Sequence, residues 1–431
     1  MSTKTSAKPE IGAQAQRSAP ARTERGLGVP ASERVGGRAG AKPPAQEYDV
    51  VVVGARCAGA ATAMLLARAG HRVLVVDRGR YGTDTLSTHA LMRGAVVQLH
   101  RWNILPAVVA SGTAPIRQAT FFYGDESVPV PIAPRDGIDA LYAPRRYVLD
   151  SLLVDAARTA GAEVIHGVRI KGLQRSDTGR VTGVVLEDES GSVHRVASRV
   201  VVGADGMRST VARLVNAQTY REGQYASGTM YGHWSGLDVD GYGWHFVPGI
   251  SAGAIPTNAG EVCVSVSVPG PAFTRLFAHQ PDSAFIDLLS KSAPDFARQV
   301  AGAGPARLSG FAGQPGFFRH AYGPGWALVG DAGYFKDPLT AHGITDALRD
   351  AELLATAIDE DADGALADYQ EQRDAASQDV FEATDAIASF NWNLATVRPL
   401  HEALARAMSR EVKLLLSASV REAVPVSAKG T

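Results

Sequence analysis

The sequence predicts an α/β protein with a parallel βαβ domain, a second domain that is predominantly an antiparallel sheet, and a helical C-terminus. Three observations predict this fold: an apolar run, glycine turn and helical run at 48–78, alternating aromatic and small residues at 216–320, and helical periodicity from Ile344 onward. An unbroken apolar run is typical of a strand buried on both faces of a parallel sheet, whereas alternation indicates a sheet with two different faces.

Composition limits the classes of partner. The 431-residue chain is 45% hydrophobic and 20% charged with a net charge of −1, so it is long enough for two or more packed units. The near-neutral charge gives no reason to expect nucleic acid as a partner. No apolar stretch approaches the roughly 20 residues of a membrane helix, so we expect no stable membrane insertion. Cys57 and Cys263 make no disulfide framework, which favours the cytoplasm.

The first 46 residues differ from the rest of the chain. They are rich in Ala, Gly, Pro, Ser and Arg and contain almost no large apolar residues. Such a composition does not bury enough apolar surface to offset the entropy of ordering, so we expect a disordered tail outside the fold. The sequence contains no indication of the oligomeric state.

The stretch from Tyr48 to Arg78 is a Rossmann-like βαβ unit. Val50–Val53 is the first strand, Gly54–Gly59 the turn, Ala60–Ala69 the helix and Val73–Val76 the second strand. A helix N-terminus presents unpaired N–H groups and a partial positive charge, which hold a pyrophosphate. Asp77 follows Gly54 by 23 residues (77 minus 54), close to the spacing of about 20 for an acid that binds ribose.

This unit predicts a dinucleotide site with one departure from the G-x-G-x-x-G pattern. Arg56 occupies the middle glycine position, where its side chain adds a cation near the phosphates. The predicted cofactor-binding residues of the unit are Gly54, Arg56, Cys57, Ala58, Gly59, Asp77 and Arg78.

The next segments alternate between helix and strand patterns. Asp84–Trp102 predicts an amphipathic helix capped by Thr85, Ser87 or Thr88, and its His89 and Arg93 are candidate substrate contacts. Segments 119–123 and 128–132 predict a hairpin, whose second arm Pro129 and Pro131 restrict to an edge. A helix at Tyr147–Ala160 precedes the remaining strands, which are Glu163–His166, Arg169–Gln174, Val181–Glu187, Val193–Ala197 and Arg199–Val202.

The region from 216 to 319 predicts a substrate-facing sheet. Strand patterns cover 225–236, 241–247, 252–256 and 261–268, and helix patterns cover 272–278 and 281–301. Its candidate pocket residues are Tyr231, His233, Trp244 and Phe246. The alternative role of these aromatic residues is packing in the sheet core.

Two further strand-to-turn junctions place Asp beside Gly, at Asp205-Gly206 and at Gly330-Asp331. Taken singly, each is a turn with a capping carboxylate. Together with the first turn, the stretches GADGMRS (203–209) and GDAGYFKDPLTAHGITDALRDA (330–351) resemble the DG and GD motifs of the group A FAD-dependent monooxygenases, the para-hydroxybenzoate hydroxylase-like family.

The resemblance implies roles for named residues. Asp205 and Gly206 would serve the pyrophosphate and NAD(P)H, Asp331 the ribitol, and Arg146 (with Arg145 as second choice) a further FAD contact. Pro338 would lie beside the flavin ring, and the 341–345 amides would point at the flavin pyrimidine. The remaining residues implied are Gly330 and Ile344 for the cofactor, His342 for catalysis and Gly343 for both. Ala341 and His342 stand where the family usually has Gly-Gln.

The resemblance also implies an activity. NADPH or NADH would reduce FAD, and the reduced flavin would react with O2 to a C4a-hydroperoxide that hydroxylates an aromatic or other electron-rich small molecule. We therefore expect three parts after the tail. The FAD-binding domain is discontinuous and consists of 47–215, with the hairpin near 119–132, and 320–360. The substrate-binding sheet domain is 216–319, and C-terminal helices form 361–431. A separate reductase partner would equally supply the electrons.

Other functions stay open. The stretch Tyr242-Gly243-Trp244-His245-Phe246, with Pro248, resembles a motif of geranylgeranyl reductases, which reduce carbon–carbon double bonds on a similar FAD architecture. The same stretch resembles the W-x-W-x-I-P of flavin-dependent halogenases only loosely, and a non-enzymatic flavin sensor is a further alternative. The catalytic acid or base stays open among His89, His233, His245 and His342.

Overall fold

The computed structural model describes residues 48–361 and 364–422, with side chains to 417. The predicted tail over 1–46 and the polar end of the chain beyond 422 lie outside the described residues. The strands are β1 (Tyr48–Val53), β2 (Val73–Asp77), β3 (Gln118–Tyr123), β4 (Glu126–Pro131), β5 (Glu163–His166), β6 (Arg169–Arg175), β7 (Val181–Glu187), β8 (Val193–Gly203), β9 (Thr219–Glu222), β10 (Ser227–Ser235), β11 (Tyr242–Val247), β12 (Ile250–Pro256), β13 (Glu261–Pro269), β14 (Ser309–Phe311), β15 (Phe317–Arg319), β16 (Tyr322–Gly323), β17 (Trp326–Leu328) and β18 (Tyr334–Phe335).

The helices follow the same chain order. They are α1 (Cys57–Arg68), α2 (Arg93–Arg101), α3 (Leu105–Ala110), α4 (Arg146–Thr159), α5 (Thr210–Leu214), α6 (Gly270–Phe277), α7 (Pro281–Ser292), α8 (Pro294–Gly302), α9 (Gly343–Glu360), α10 (Ala365–Ala388) and α11 (Leu394–Glu422). In the described part of the chain, no helix combines the length and apolarity that crossing a membrane requires.

The first sheet has eight strands around a parallel centre. Strands β17, β8, β1, β2 and β5 lie side by side and parallel, with β16 at one edge. Val50, Val51 and Val52 of β1 are fully buried, as the apolar run predicts. The two strands predicted over 193–202 are one 11-residue strand, β8, because its first half pairs with β7 and its second half with β1.

The second sheet has seven strands in the order β14-β10-β13-β12-β11-β3-β4. Alternation along the strands gives it two faces. One face packs on α6, α7 and α8 through an apolar cluster that contains Val264, Val266 and Phe285. On its other face, Thr229, Trp244 and Ser265 belong to the functional site described below.

The predicted hairpin is present, but it belongs to the second sheet. Strand β3 pairs in parallel with β11, so the placement of the hairpin with the cofactor domain is wrong. The reason is packing, because Phe121 and Tyr123 of β3 stack on Phe246 of β11. Strand β4 lies at the sheet edge, as its prolines predict.

The helix predicted over 84–102 is shorter than expected. It begins at Arg93, and residues 83–92 form a non-helical segment that we call the strap. Within the strap, the Ser87 hydroxyl accepts a hydrogen bond from the His89 amide, and the Leu91 amide donates to the Tyr142 carbonyl. Side-chain and tertiary hydrogen bonds therefore replace the first helical turns. The helix predicted over 281–301 is likewise two helices, because Pro294 starts a new one.

Candidate functional site

The three glycine–acid turns converge in the fold. A side chain at Gly54 would collide with the Ala204 carbonyl and would lie 3.1 Å from the Asp205 amide nitrogen. A side chain at Gly330 would lie 2.9 Å from the Ala58 methyl group. The turn after β1 is therefore in contact with both other turns, although the turns are far apart in the sequence.

The turn after β1 is built for close backbone approach. Gly54 has φ +109°, a conformation that favours glycine, and a side chain at Gly59 would overlap the Gly54 carbonyl. Helix α1 begins directly afterwards, and its N-cap residue Arg56 makes no side-chain cap. The first amides of the helix are therefore available to a ligand, and they have the geometry that binds a pyrophosphate.

Asp77 lies beside this turn at the tip of β2. Its carboxylate accepts hydrogen bonds from the Ala55 amide (2.7 Å) and the Gly79 amide (2.6 Å). Asp77, Arg56 and His166 line a shallow cavity that is open to the surface. The predicted ribose acid therefore faces a cavity, while Arg78 is exposed and Arg80 lines the cavity instead.

A buried carboxylate joins three of the predicted cofactor residues. Asp150, which is 5% exposed, accepts hydrogen bonds from Arg56 Nη1 (2.9 Å), Arg146 Nε (3.0 Å) and the Cys57 thiol (3.1 Å). Burial raises the pKa of the Cys57 thiol, so it stays protonated and acts as a donor. The favoured arginine, Arg146, is inside this cluster, whereas Arg145 bonds to Asp84 and Glu261.

The second turn is held by its own acid. One Asp205 oxygen accepts from the Thr210 amide (2.6 Å) and the other from the Ser209 hydroxyl, so Asp205 caps α5. Gly206 has φ +80° and nothing within 4 Å of its missing side chain, which leaves the turn open on that side. Arg319 donates to the Met207 carbonyl (3.3 Å) and the Ala332 carbonyl (3.0 Å), so it links the second turn to the third.

The third turn carries Asp331, which is partly exposed. Burial raises the pKa of Asp331 to about 6, and the nearby cations Lys336 and Arg146 oppose the rise. A carboxylate there accepts hydrogen bonds from ligand hydroxyls, as the ribitol role requires. That role stays a prediction.

The loop after Asp331 is fixed to the second sheet. The Asp337 carboxylate accepts from the Ser227 amide (2.6 Å), the Ser227 hydroxyl (2.6 Å) and the Leu339 amide (2.9 Å). Pro338 begins a short 3-10 turn, Ala341 adopts the left-handed conformation with φ +52°, and α9 begins at Gly343. Because the family usually has glycine at the Ala341 position, this φ explains that preference. The first amides of α9, Gly343 and Ile344 among them, have no acceptor within the helix.

His342 lies behind this loop in a buried charge cluster. Its Nδ1 is 3.1 Å from Asp346, its Nε2 is 2.8 Å from Glu411 of α11, and its side chain is 1% exposed. Lys336 pairs with Asp346, and Arg349 pairs with Asp346, Asp350 and Glu411. Both ring nitrogens of His342 face carboxylates, so its side chain connects the loop to α11. Its catalytic role stays a prediction.

A narrow cleft opens between the second sheet and the Pro338 loop. Trp244 is on the sheet side, and Pro338, Leu339 and Ala341 are on the loop side. The remaining wall is rich in hydroxyl groups, which come from Thr88, Thr229, Ser251, Ser265 and Ser267. Of the described residues that line the cleft, none carries a charge.

The strap borders this cleft through Thr88. Its Ser87 amide donates to the Tyr231 hydroxyl (3.2 Å), and His89 Nε2 lies 3.0 Å from His233 Nε2. His89 is 1% exposed and has φ +68°, an uncommon conformation for a residue other than glycine. The predicted substrate residues His89, Tyr231 and His233 are therefore together, and Trp244 lines the cleft itself.

Two predicted substrate residues are placed elsewhere. Arg93 donates to the Arg135 and Ala133 carbonyls, so it holds a surface loop. Phe246 is 6% exposed and packs against Trp392 and His401 of the C-terminal region, so it belongs to the core. Neither residue lines the cleft, and a substrate contact for either stays a prediction.

Sequence reasoning missed Asp150, Arg319, Lys336 and Glu411. The spacing of Arg146 and Asp150, four residues apart on one helix, was a usable signal. Arg319 and Glu411 contact residues 112 and 62 positions away, respectively, and no local pattern predicts such contacts.

The donor set fits FAD. Asp77 beside a cavity would hold the ribose, the free amides that begin α1 the pyrophosphate, and Asp331 the ribitol, with the flavin ring beside the Pro338 loop.

Comparison with known proteins supports this assignment. A family model described as "FAD binding domain" matches residues 47–242. Menaquinone reductase of Mycolicibacterium smegmatis is 30% identical over 342 residues, which cover 74% of this chain and 78% of that protein. Digeranylgeranylglycerophospholipid reductase 2 of Methanopyrus kandleri is 31% identical over 353 residues, which cover 76% of this chain and 82% of that protein.

Solved structures share the fold. PqsL of Pseudomonas aeruginosa in complex with 2-aminobenzoylacetate superimposes with a TM-score of 0.72 at 24% identity, covering 83% of this chain and 100% of that one. A flavin-dependent brominase superimposes with a TM-score of 0.73 at 19% identity, covering 85% and 93%. The chain belongs to a family of FAD-dependent oxidoreductases that includes menaquinone reductase and the digeranylgeranylglycerophospholipid reductases.

Proposed function

We propose that this protein is an FAD-dependent monooxygenase that hydroxylates a compact aromatic or otherwise electron-rich molecule. NADPH or NADH supplies two electrons, one atom of O2 enters the substrate, and the other leaves as water. The observation that carries the proposal is the cleft beside the Pro338 loop. It is small, faced by Trp244 and lined by hydroxyl groups.

The cleft wall matches a compact substrate better than a long polyprenyl chain. A polyprenyl chain has no hydrogen-bonding groups, so burying it in the cleft would leave the hydroxyl groups of Thr88, Ser251 and Ser265 without a partner from the ligand, whereas those of Thr229 and Ser267 bond to each other (2.7 Å). An aromatic ring that bears oxygen or nitrogen substituents would stack on Trp244 and hydrogen-bond to Ser or Thr.

Residues of this chain bind, orient and shield in this proposal. FAD, when bound, supplies the redox chemistry, which is the transfer of electrons from NAD(P)H and the activation of oxygen. The amides that begin α9 favour negative charge beside the Pro338 loop. The strap and the second sheet exclude water from the cleft, because Ser87 and His89 hold the strap on β10.

Reduction of a carbon–carbon double bond is the second candidate. The relatives that are 30% and 31% identical are reductases by name, and the Tyr242-to-Phe246 stretch resembles a geranylgeranyl reductase motif. In the structure, Tyr242 donates to the Tyr142 carbonyl (2.8 Å) and Trp244 lines the cleft. This motif therefore shapes the same cleft in either reaction.

Oxygen dependence separates the two reactions. A panel of phenols, quinones and prenylated compounds is incubated with the FAD-loaded protein, NADPH or NADH, and ¹⁸O2. The proposal predicts a product that carries one ¹⁸O atom and that does not form without oxygen. A product two hydrogen atoms heavier than its substrate, formed equally well under nitrogen, would contradict the proposal and support the reductase.

A further inference from the structure

The residues His89 and His233, which we call the histidine pair, lie near the cleft. Thr88, which precedes His89, lines the cleft, and Tyr231, two residues before His233 on the same face, pairs with the cleft residue Ser265. His233 is on β10, opposite Cys263 of β13. That face also carries the cleft residues Thr229 and Ser265, because paired residues of neighbouring strands point to the same side.

The contacts of the pair indicate where its protons are. One Nε2 donates to the other across 3.0 Å, and the Nδ1 of His89 is buried without a partner among the described residues. A buried N–H without a partner is rarer in proteins than an under-satisfied acceptor. The favoured arrangement therefore has Nε2–H of His89 donating to His233. His233 then carries its own proton on Nδ1.

The pair is neutral at physiological pH. Burial lowers the pKa of His89 to about 3, with a further contribution from His233, and burial lowers the pKa of His233 to about 4. The charged groups that act on both rings are Arg145, which lowers their pKa, and Asp84, which raises it. A neutral imidazole offers one N–H donor and no net charge.

We propose that His233, held by His89, donates a hydrogen bond from Nδ1 to an uncharged ring oxygen of the substrate, such as a quinone carbonyl or a phenol. The inference rests on the proposed function and names its substrate class. His233 is partly exposed, so it reaches a ligand, whereas His89 is buried and acts as a positioning residue. The uncharged cleft wall agrees with a neutral substrate, and Arg145, the cation that acts on both rings, already pairs with Asp84 and Glu261.

The test uses ligand binding to the FAD-loaded protein, without turnover. The probes are 1,4-naphthoquinone, 1-naphthol and the carboxylate 1-naphthoate, and the affinity is read from the flavin absorbance. We expect both neutral probes to bind at least tenfold more tightly than 1-naphthoate. We expect His233→Phe to weaken the binding of the neutral probes by about tenfold, the typical effect of one hydrogen bond. Comparing the affinities for 1-naphthol and 1,4-naphthoquinone shows whether the site prefers a phenol oxygen or a quinone carbonyl oxygen.

Infrared spectroscopy of the bound, ¹³C-labelled quinone measures the carbonyl stretching frequency. This frequency would not change if His233 had only a structural role. A hydrogen bond lowers the carbonyl stretching frequency, so the wild type should show a lowered band that returns toward its free position in His233→Phe. His89→Asn, which tolerates the left-handed backbone, should shift the band part of the way. His245→Phe is the matched control, because His245 lies on the opposite face of the sheet, stacked on Phe122, and should leave the band unchanged.

The proposal is overturned if neither neutral probe saturates the protein, if 1-naphthoate binds as tightly as they do, or if His233→Phe leaves the affinity and the band unchanged. Binding with the lowered band but no ¹⁸O incorporation would keep this assignment and reject the monooxygenase. The two proposals therefore fail separately.

Discussion

At the scale of single residues, the cofactor end of the site depends on buried charges that compensate one another. Asp150 pairs with both Arg56 and Arg146 and also accepts a hydrogen bond from the Cys57 thiol. Burying a charge without a partner costs free energy of folding, so removing the Asp150 carboxylate destabilises the protein by leaving the arginines without their partner. The three predicted cofactor residues Arg56, Cys57 and Arg146 therefore share one anchor, which single-residue motif matching does not reveal.

Asp150→Ala should destabilise the protein strongly. Removing one partner of a buried ion pair costs about 3–5 kcal/mol, because the guanidinium of Arg146 stays buried without its partner. Denaturant unfolding measures the change. Asp155→Ala on the same helix is the control, since its side chain is 55% exposed and its loss should cost less than about 1 kcal/mol. Equal losses in both variants would contradict the role of Asp150.

His245 makes the stability depend on pH. Burial lowers the pKa of His245 to about 4, against about 6.5 in the unfolded chain. Between these values the unfolded state binds a proton that the folded state does not, so stability falls as pH falls through this window. The expected loss at pH 5 is about 2 kcal/mol.

His245→Phe keeps the stacking on Phe122 and should remove this dependence. The test is the difference between the unfolding free energies of the two proteins from pH 8 to pH 4. Taking the difference is necessary because burial raises the pKa of Asp331 and Asp337 to about 6, and these groups act in the opposite direction. A difference that is constant with pH would show that His245 is not buried in its neutral form.

At the scale of elements, the turn between β1 and α1 requires close contact between the backbone at Gly54 and the backbone at Gly59. Gly59→Ala would place a methyl group on the Gly54 carbonyl, so the turn must open. We expect a loss of at least 2 kcal/mol of stability and of most FAD retention. Gly302→Ala in α8 makes the same chemical change with nothing within 4 Å, and it should be neutral or stabilising. Normal FAD content in purified Gly59→Ala would contradict this account of the turn.

Elements with strong local patterns were predictable, and those fixed by distant contacts were not. Strand β1 and helices α4 and α9 begin and end close to their predicted positions. Their apolar residues follow a pattern that a buried strand or a helix with one buried face produces in the local sequence. The strap was predicted as helix because its capping residues, Ser87 and Thr88, fit a helix start. Its contacts with Tyr142, Tyr231 and His233 are not visible in local sequence.

At the scale of the whole molecule, the predicted convergence of the three turns is confirmed. Gly54 abuts Ala204, and Gly330 abuts Ala58, so one elongated ligand can reach all three. The resemblance predicted which residues would meet. It did not predict two sets of polar contacts between distant segments. Arg319 hydrogen-bonds to the second and third turns, and Glu411 of α11 pairs with Arg349 and His342. Motif spacing does not encode such contacts, because their residues lie in distant segments of the chain.

The most direct test is a titration of the FAD-free protein with FAD, followed by flavin fluorescence. One FAD should saturate each wild-type chain. A substitution in any of the three turns (Gly59→Ala, Asp205→Ala or Asp331→Ala) should weaken binding at least tenfold, since each turn contacts a different part of one ligand. The absence of saturable binding in the wild type, or unchanged affinity in all three variants, would contradict the account.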